Sequence, residues 1–243
     1  MNLVIDIGNT LVKMAVFQED ELIVKKTSLK QNFFKNLAEL DQKYPDIKDV
    51  LVSSVSKTPS KWLQKLQEDY KMYVLDKELP QVFSNLYATP KTLGNDRIAL
   101  VSAASKLYPS QNVLVIDAGT CVTFDVINSE NEYLGGAISP GLQMRYKAMN
   151  TFTENLPLLE PEQVVNLIGN TTINSMHSGA IIGITAEIDG VISMYSSQFK
   201  DLTIILTGGD SQFLCKRLKN SIFANSNFLL EGLNYILEFN KSQ

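Results

Sequence analysis

Apolar residues run together or alternate with polar ones over 2–7, 11–17 and 21–26, which predicts three short strands joined by tight turns. The period then lengthens. A helix is expected from Leu29 to Tyr44, followed by a buried strand over 50–54. Thr58-Pro59 opens the next helix, where Trp62, Leu66 and Tyr70 share one face at fourfold spacing. A strand over 72–75, a loop through Leu86 to Pro90 and a helix from Asn95 complete the first half. The predicted order is βββαβαβα.

The second half repeats that order. Strands over 113–117, 121–127 and 133–139 lead to a helix after Gly141 and a long helix over 172–195. A buried strand over 202–207, a helix after Asp210, a short strand over 222–224 and a last helix over 227–239 follow. The repeat is also visible in the residues, LVIDIGNTLVKMAV from Leu3 to Val16 and LVIDAGTCVTFDV from Leu114 to Val126. In both copies a buried strand ends at an Asp beside a glycine turn. That sets a fixed negative charge next to backbone N–H groups able to approach a phosphate closely. Three antiparallel strands feeding parallel strands and covering helices give an α/β fold of the ribonuclease-H-like kind, used twice. The expected lobes are 1–111 and 112–243, both facing one nucleotide.

Composition narrows the classes. The chain has 243 residues, 44% of them hydrophobic and 20% charged, enough to bury a sizeable core and far from a disordered profile. A net charge of −4 argues against nucleic acid as the main ligand. The most apolar stretch, Ala180 to Ile192, is interrupted by Thr185, Glu187 and Asp189 and cannot span a bilayer. The N-terminus starts directly with a strand and lacks the basic flank and long apolar core of a signal peptide. Cys121 and Cys215 have neither metal spacing nor a disulfide framework, so reduced thiols and a cytoplasmic location are expected. His177 reads as a helix residue, and Gly179 and Gly183 as points of close helix packing, in a core or across a subunit interface.

The chemistry sits in five short motifs. They are Asp6-Ile7-Gly8-Asn9-Thr10, Gly94-Asn95-Asp96-Arg97, Asp117-Ala118-Gly119-Thr120, the run Gly135 to Gly141, and Thr207-Gly208-Gly209-Asp210. Singly each has a bland reading. The first is also a hairpin turn with Asn and Gly at φ > 0, and the second a helix N-terminus capped by Asn95 and Asp96. In this order and spacing, over nearly the whole chain, they closely resemble the type III pantothenate kinases. The duplicated fold likewise resembles the actin, Hsp70 and sugar-kinase superfamily, whose cleft between the lobes holds ATP and magnesium.

The resemblance implies ATP-dependent phosphorylation of the 4′-hydroxyl of pantothenate, the first step of coenzyme A synthesis. Asp96 is the expected catalytic base, because phosphoryl transfer to an alcohol needs a carboxylate within reach of the hydroxyl proton. Arg97 suits an anionic group of the substrate. Tyr87, Gly94, Asn95 and Thr172 are expected to line the substrate pocket with them. Asp6 is expected to hold magnesium through water, Gly8, Asn9 and Thr10 to meet phosphate oxygens, and Lys13 to neutralise phosphate charge. Thr120 is the mirrored phosphate contact. By the resemblance, Asp117 helps bind a monovalent cation, potassium or ammonium. Gly208 and Gly209 let the adenosine lie against the backbone. The family is homodimeric with its substrate site completed at the interface, and the helix over 172–195 is the candidate contact. Two other readings stay open: a superfamily kinase for a sugar or acetate, and a non-catalytic regulator that only binds ATP.

Overall fold

The structure is a computed structural model that describes residues 1–54, 58–163 and 166–242. In chain order the elements are β1 (Asn2–Ile7), β2 (Leu11–Gln18), β3 (Glu21–Leu29), α1 (Phe33–Lys43), β4 (Asp49–Ser54), α2 (Ser60–Asp69), β5 (Lys71–Val74), β6 (Ser84–Asn85) and α3 (Asn95–Leu107). There follow β7 (Val113–Ala118), β8 (Cys121–Ile127), β9 (Glu132–Pro140), α4 (Leu142–Thr151), α5 (Thr172–His177), α6 (Gly183–Gln198), β10 (Thr203–Thr207), α7 (Ser211–Cys215), β11 (Phe223–Ala224) and α8 (Phe228–Lys241). They form two compact units. The first holds residues 1–109, 131–133 and 227–243, the second 110–130 and 134–226. The sequence division at 111/112 differs from these units in the placement of the last helix, which packs with the first.

In the first unit the strands run in the order β3-β2-β1-β4-β5, antiparallel between β1 and β2 and parallel between β1 and β4. β1 is buried along its whole length, as a central strand covered on both faces must be. Phe33, Leu37 and Leu40 on α1 and Trp62 and Leu66 on α2 are the buried helical positions, with Phe33 stacked on Trp62 at 3.9 Å between ring centroids. β3 extends to Leu29, three residues past the expected strand, because it is an edge whose ladder with β2 continues to the Leu11–Leu29 pair while alternate residues face solvent. α3 packs against α8, and at the far end Asn2 Nδ2 donates to Asn234 Oδ1 at 2.8 Å. The two-residue β6, just before the expected loop from Leu86, pairs in parallel with Glu132 and Tyr133.

The second unit repeats the pairing: β10 lies between β11 and β7, and β8 follows β7, as β4 lies between β5 and β1 and β2 follows β1. The expected helix over 172–195 is present as one unbroken helical run with a π-helical turn inside it: α5, the turn over Ser178–Ile182, and α6. Met176, Ala180, Ile184, Ile188 and Ile192 form a buried stripe at intervals of four, with His177 and Ile181 buried beside it. With 3.6 residues per turn such a stripe drifts by roughly 40° per step, and a wider turn through small residues takes up part of the drift. The glycines of that segment do not serve packing within the chain. A Cβ at Gly179 would meet nothing within 4 Å, and one at Gly183 only Arg145 Nη1 at 4.0 Å. Among the described residues no helix is long and apolar enough to cross a membrane.

Candidate active site

In the first unit the chemistry gathers where β1 ends and α3 begins. Asp6 is the penultimate residue of β1 and only 6% exposed. Its register partner on β2 is Lys13, whose Nζ lies 3.6 Å from Asp6 Oδ2. Burial pushes the Asp6 carboxyl above its usual range; Lys13 opposes the shift and Asp96 adds to it by repulsion. Asp6 and Asp96 therefore lie within electrostatic reach of one another. Between β1 and β2 the turn closes through Gly8 N donating to Leu11 O at 3.0 Å, leaving Asn9 and Thr10 exposed at its tip.

Asp96 stands in the first turn of α3, half-buried, where the helix dipole favours a carboxylate. Its Oδ1 accepts from the backbone N of Arg97 at 2.8 Å. Gly94 is the N-cap, and the Asp96 carboxylate folds back over it, into the space a Cβ would take. Asn95 turns inward. Its Nδ2 donates to Leu75 O at 2.7 Å, and its Oδ1 accepts from Lys77 Nζ at 3.2 Å. Lys77 also donates to Leu93 O.

Arg97 is 5% exposed, with its guanidinium carbon 5.6 Å from the Tyr87 ring centre and 6.0 Å from that of Tyr133. The two rings stack at 5.9 Å. A guanidinium over aromatic faces keeps its in-plane N–H fork, the edge that grips a carboxylate bidentately. Tyr87, Gly94, Asn95, Asp96 and Arg97 thus form one group in the first unit, together with Asp6, the Gly8 to Thr10 turn and Lys13. Lys77 and Tyr133 were missed. Lys77 lies between the expected strand over 72–75 and the loop from Leu86, in a stretch that carries no motif, and Tyr133 reads as the start of a strand; only the aromatic beside the Leu134-Gly135-Gly136 run could have drawn notice.

In the second unit Asp117 and Thr120 flank the turn closed by Gly119 N donating to Cys121 O at 2.9 Å. Gly141 N donates to Thr120 O at 3.2 Å, which brings the run from Gly135 to Gly141 against that turn. Gly208 adopts φ 96°, and a Cβ there would overlap Ala118 O and Asp117 Oδ1. The Gly208-Gly209 turn therefore lies directly on the Asp117 turn. Burial raises the pKa of Asp210, whose N donates to Ala118 O at 2.9 Å. Thr172, the first residue of α5, stands with a different group, an open hollow of about 690 Å³ also lined by Met149, Leu156, Asn170, Thr171 and Met176. A second hollow, about 570 Å³ beside α6 and lined by Ile181, Ile182, Asp189, Lys216 and Arg217, contains none of the expected site residues.

Among the described residues no three His, Cys, Asp or Glu side chains cluster in a way that could hold a metal by themselves. Magnesium does not need such a cluster, because it takes one or two carboxylates and completes its shell with water and phosphate oxygens. The buried Asp6 carboxylate suits such an ion. The hard oxygens of Asp117 and Ala118, converging beneath Gly208, suit a monovalent cation.

Comparison with known proteins gives a family. The family model for type III pantothenate kinase matches residues 2–194. A type III pantothenate kinase of Christiangramia forsetii is 56% identical over 243 residues, covering 100% of both chains. Among solved structures, the activator of the 2-hydroxyisocaproyl-CoA dehydratase from Clostridium difficile with bound ADPNP is similar at a TM-score of 0.54 and 12% identity, covering 99% of this chain and 94% of that one. A glucokinase from an Antarctic psychrotroph is similar at a TM-score of 0.52 and 11% identity, covering 98% of each chain. Both likenesses are of fold, the α/β fold with two mixed sheets found in actin and sugar kinases.

Proposed function

The chain belongs to the type III pantothenate kinases, ATP-dependent enzymes that phosphorylate pantothenate in coenzyme A biosynthesis, and from that premise we propose how its residues divide the transfer. Asp96 accepts the proton of the pantothenate 4′-hydroxyl as that oxygen attacks the γ-phosphorus of ATP. The new P–O bond forms as the bond to ADP breaks, and the proton leaves on Asp96. The observation that carries this reading is the placement of a half-buried carboxylate in the first turn of α3, electrostatically coupled to Asp6 at the end of β1. One carboxylate serves the acceptor and the other the phosphates.

Arg97, held over Tyr87 and Tyr133, binds the pantothenate carboxylate, while Gly94, Asn95 and Thr172 complete the walls. Gly8, Asn9 and Thr10 offer N–H groups and a hydroxyl to phosphate oxygens, and Lys13 offsets their charge. Asp6 would hold magnesium through water, and that ion would neutralise phosphate charge. Thr120 makes a second phosphate contact, Asp117 holds potassium or ammonium, and Gly208 and Gly209 support the adenosine. The active species is a homodimer. Gly179 and Gly183, which meet almost nothing within their own chain, are suited to a partner's helix. Asp96→Asn should leave ATP binding by calorimetry unchanged and lower turnover by roughly 10²–10⁴. Near-normal turnover in the folded variant would remove Asp96 from the mechanism.

A further inference from the structure

Lys77 follows β5 by three residues, and its ammonium lies at the N-terminal end of α3. A cation is ordinarily unfavourable there, because the helix presents its positive pole. Burial also pulls the Lys77 pKa down, while the charges of Asp96 and then Asp76 push it up. Two acceptors fix the ammonium in place, the Leu93 carbonyl and, at 3.2 Å, Asn95 Oδ1. The same Asn95 side chain donates to Leu75 O at 2.7 Å and to Ser54 O at 3.4 Å. Two side chains thus tie the residues just before and after Gly94 to the ends of β4 and β5.

We propose that Lys77, acting with Asn95, is a positioning residue for Asp96: it clamps the Leu93 to Asn95 turn and so fixes where the next residue, Asp96, enters α3. The proposal rests on the reading of Asp96 as the base. Gly94 alone would leave that turn adaptable, since it has no side chain to fix its backbone. The clamp removes this freedom. Asp6 and Asp96 also repel one another, so the turn that carries Asp96 must be held against that repulsion.

The test is steady-state kinetics on the full chain with Lys77→Met, Lys77→Gln and Lys77→Arg, each also made in the Asp96→Asn background. Misplacing a reacting group by about an ångström costs on the order of 10²-fold, so Lys77→Met should lower kcat by roughly 10- to 100-fold. KM for ATP should stay within about twofold, and Lys77→Arg should recover part of the loss through its retained charge and donors. In the Asp96→Asn background Lys77→Met should cost nothing further, because the residue it positions is gone. An equal loss in both backgrounds would show a structural role and overturn the proposal. So would normal turnover in both Lys77→Met and Lys77→Gln beside an inactive Asp96→Asn, an outcome that leaves the base reading intact. Near-normal turnover of Asp96→Asn itself would overturn the base reading, and this proposal with it.

Discussion

The turn after β1 and the turn after β7 are built on one plan and differ in what faces the carboxylate. On β2 the residue opposite Asp6 is Lys13; on β8 the residue opposite Asp117 is Thr123. On the parallel side Asp6 is flanked by Ser53 and Asp117 by Thr207. The first turn also has one residue more, with Ile7 pairing to Val12 where Ala118 pairs to Val122. Gly208 lies on the Asp117 turn, and Asp96 bears electrostatically on Asp6. Duplication supplied two carboxylates at equivalent strand ends. What diverged is the neighbourhood: a lysine and a second carboxylate around one, hydroxyls and backbone oxygens around the other. Under the proposed reading the first turn, with a lysine and a second carboxylate, would serve the reacting phosphates, and the second, with Asp117 among hydroxyls and backbone oxygens, would hold the monovalent ion.

The largest expected effect separates the two carboxylates. Asp6→Asn should lower kcat by about 10²–10³, the usual cost of one preorganised charge-stabilising group, at every potassium concentration. Asp117→Asn should chiefly abolish activation by potassium while leaving the response to magnesium unchanged. Kinetics across magnesium and potassium titrations decide between them. Identical cation profiles for the two variants would mean that the turns did not diverge in role.

Next in size is the contact that only the second turn has. Gly208→Ala adds a Cβ onto Ala118 O and Asp117 Oδ1 at a residue with φ 96°. Strain and overpacking together should cost roughly 2–4 kcal/mol of stability, read by denaturant unfolding, and should weaken nucleotide binding as the glycine turn is pushed away. Gly8→Ala probes the first turn, where a Cβ would approach only Leu11 O, at 3.2 Å. A smaller loss is expected there. Equal losses would erase the structural difference between the turns.

Much of this was legible in the residues. Period changes placed the strands and the helix order, because buried strands and amphipathic helices leave unmistakable apolar spacing; the Asp-Gly repeat placed both carboxylates. Three things were not legible. The π-helical turn after His177 lies inside a run whose apolar spacing reads as one long helix, and that spacing does not mark where the turn widens. The return of α8 to α3 is a long-range packing choice that a repeat pattern assigns to the nearer half. The Lys77–Asn95 clamp depends on side-chain hydrogen bonds between a loop and a helix start, and no spacing rule encodes such a meeting.

The smallest effect concerns the charge pair that only the first turn has. The folded-state pKa of Asp6 is raised, mainly by burial. Such a group contributes stability that is fully present below its ordinary value of 3.8 and lost as pH rises through the raised folded value. At neutral pH the ionised carboxylate is therefore a net cost to the fold. Asp6→Asn should melt higher than wild type near pH 7, and the advantage should vanish on acidification below about pH 4. Lys13→Met should act in the opposite direction, losing stability at neutral pH and little in acid. Because the Lys13 side chain is 41% exposed, its loss should stay within about 1 kcal/mol. Thr123→Val is the matching change in the second turn. The Thr123 hydroxyl is buried and makes no hydrogen bond among the described residues, so its removal should be neutral or stabilising, with no dependence on pH. Melting curves of Lys13→Met and Thr123→Val from pH 3 to 8 would test the contrast; parallel pH profiles would show that the lysine does not set the first turn apart.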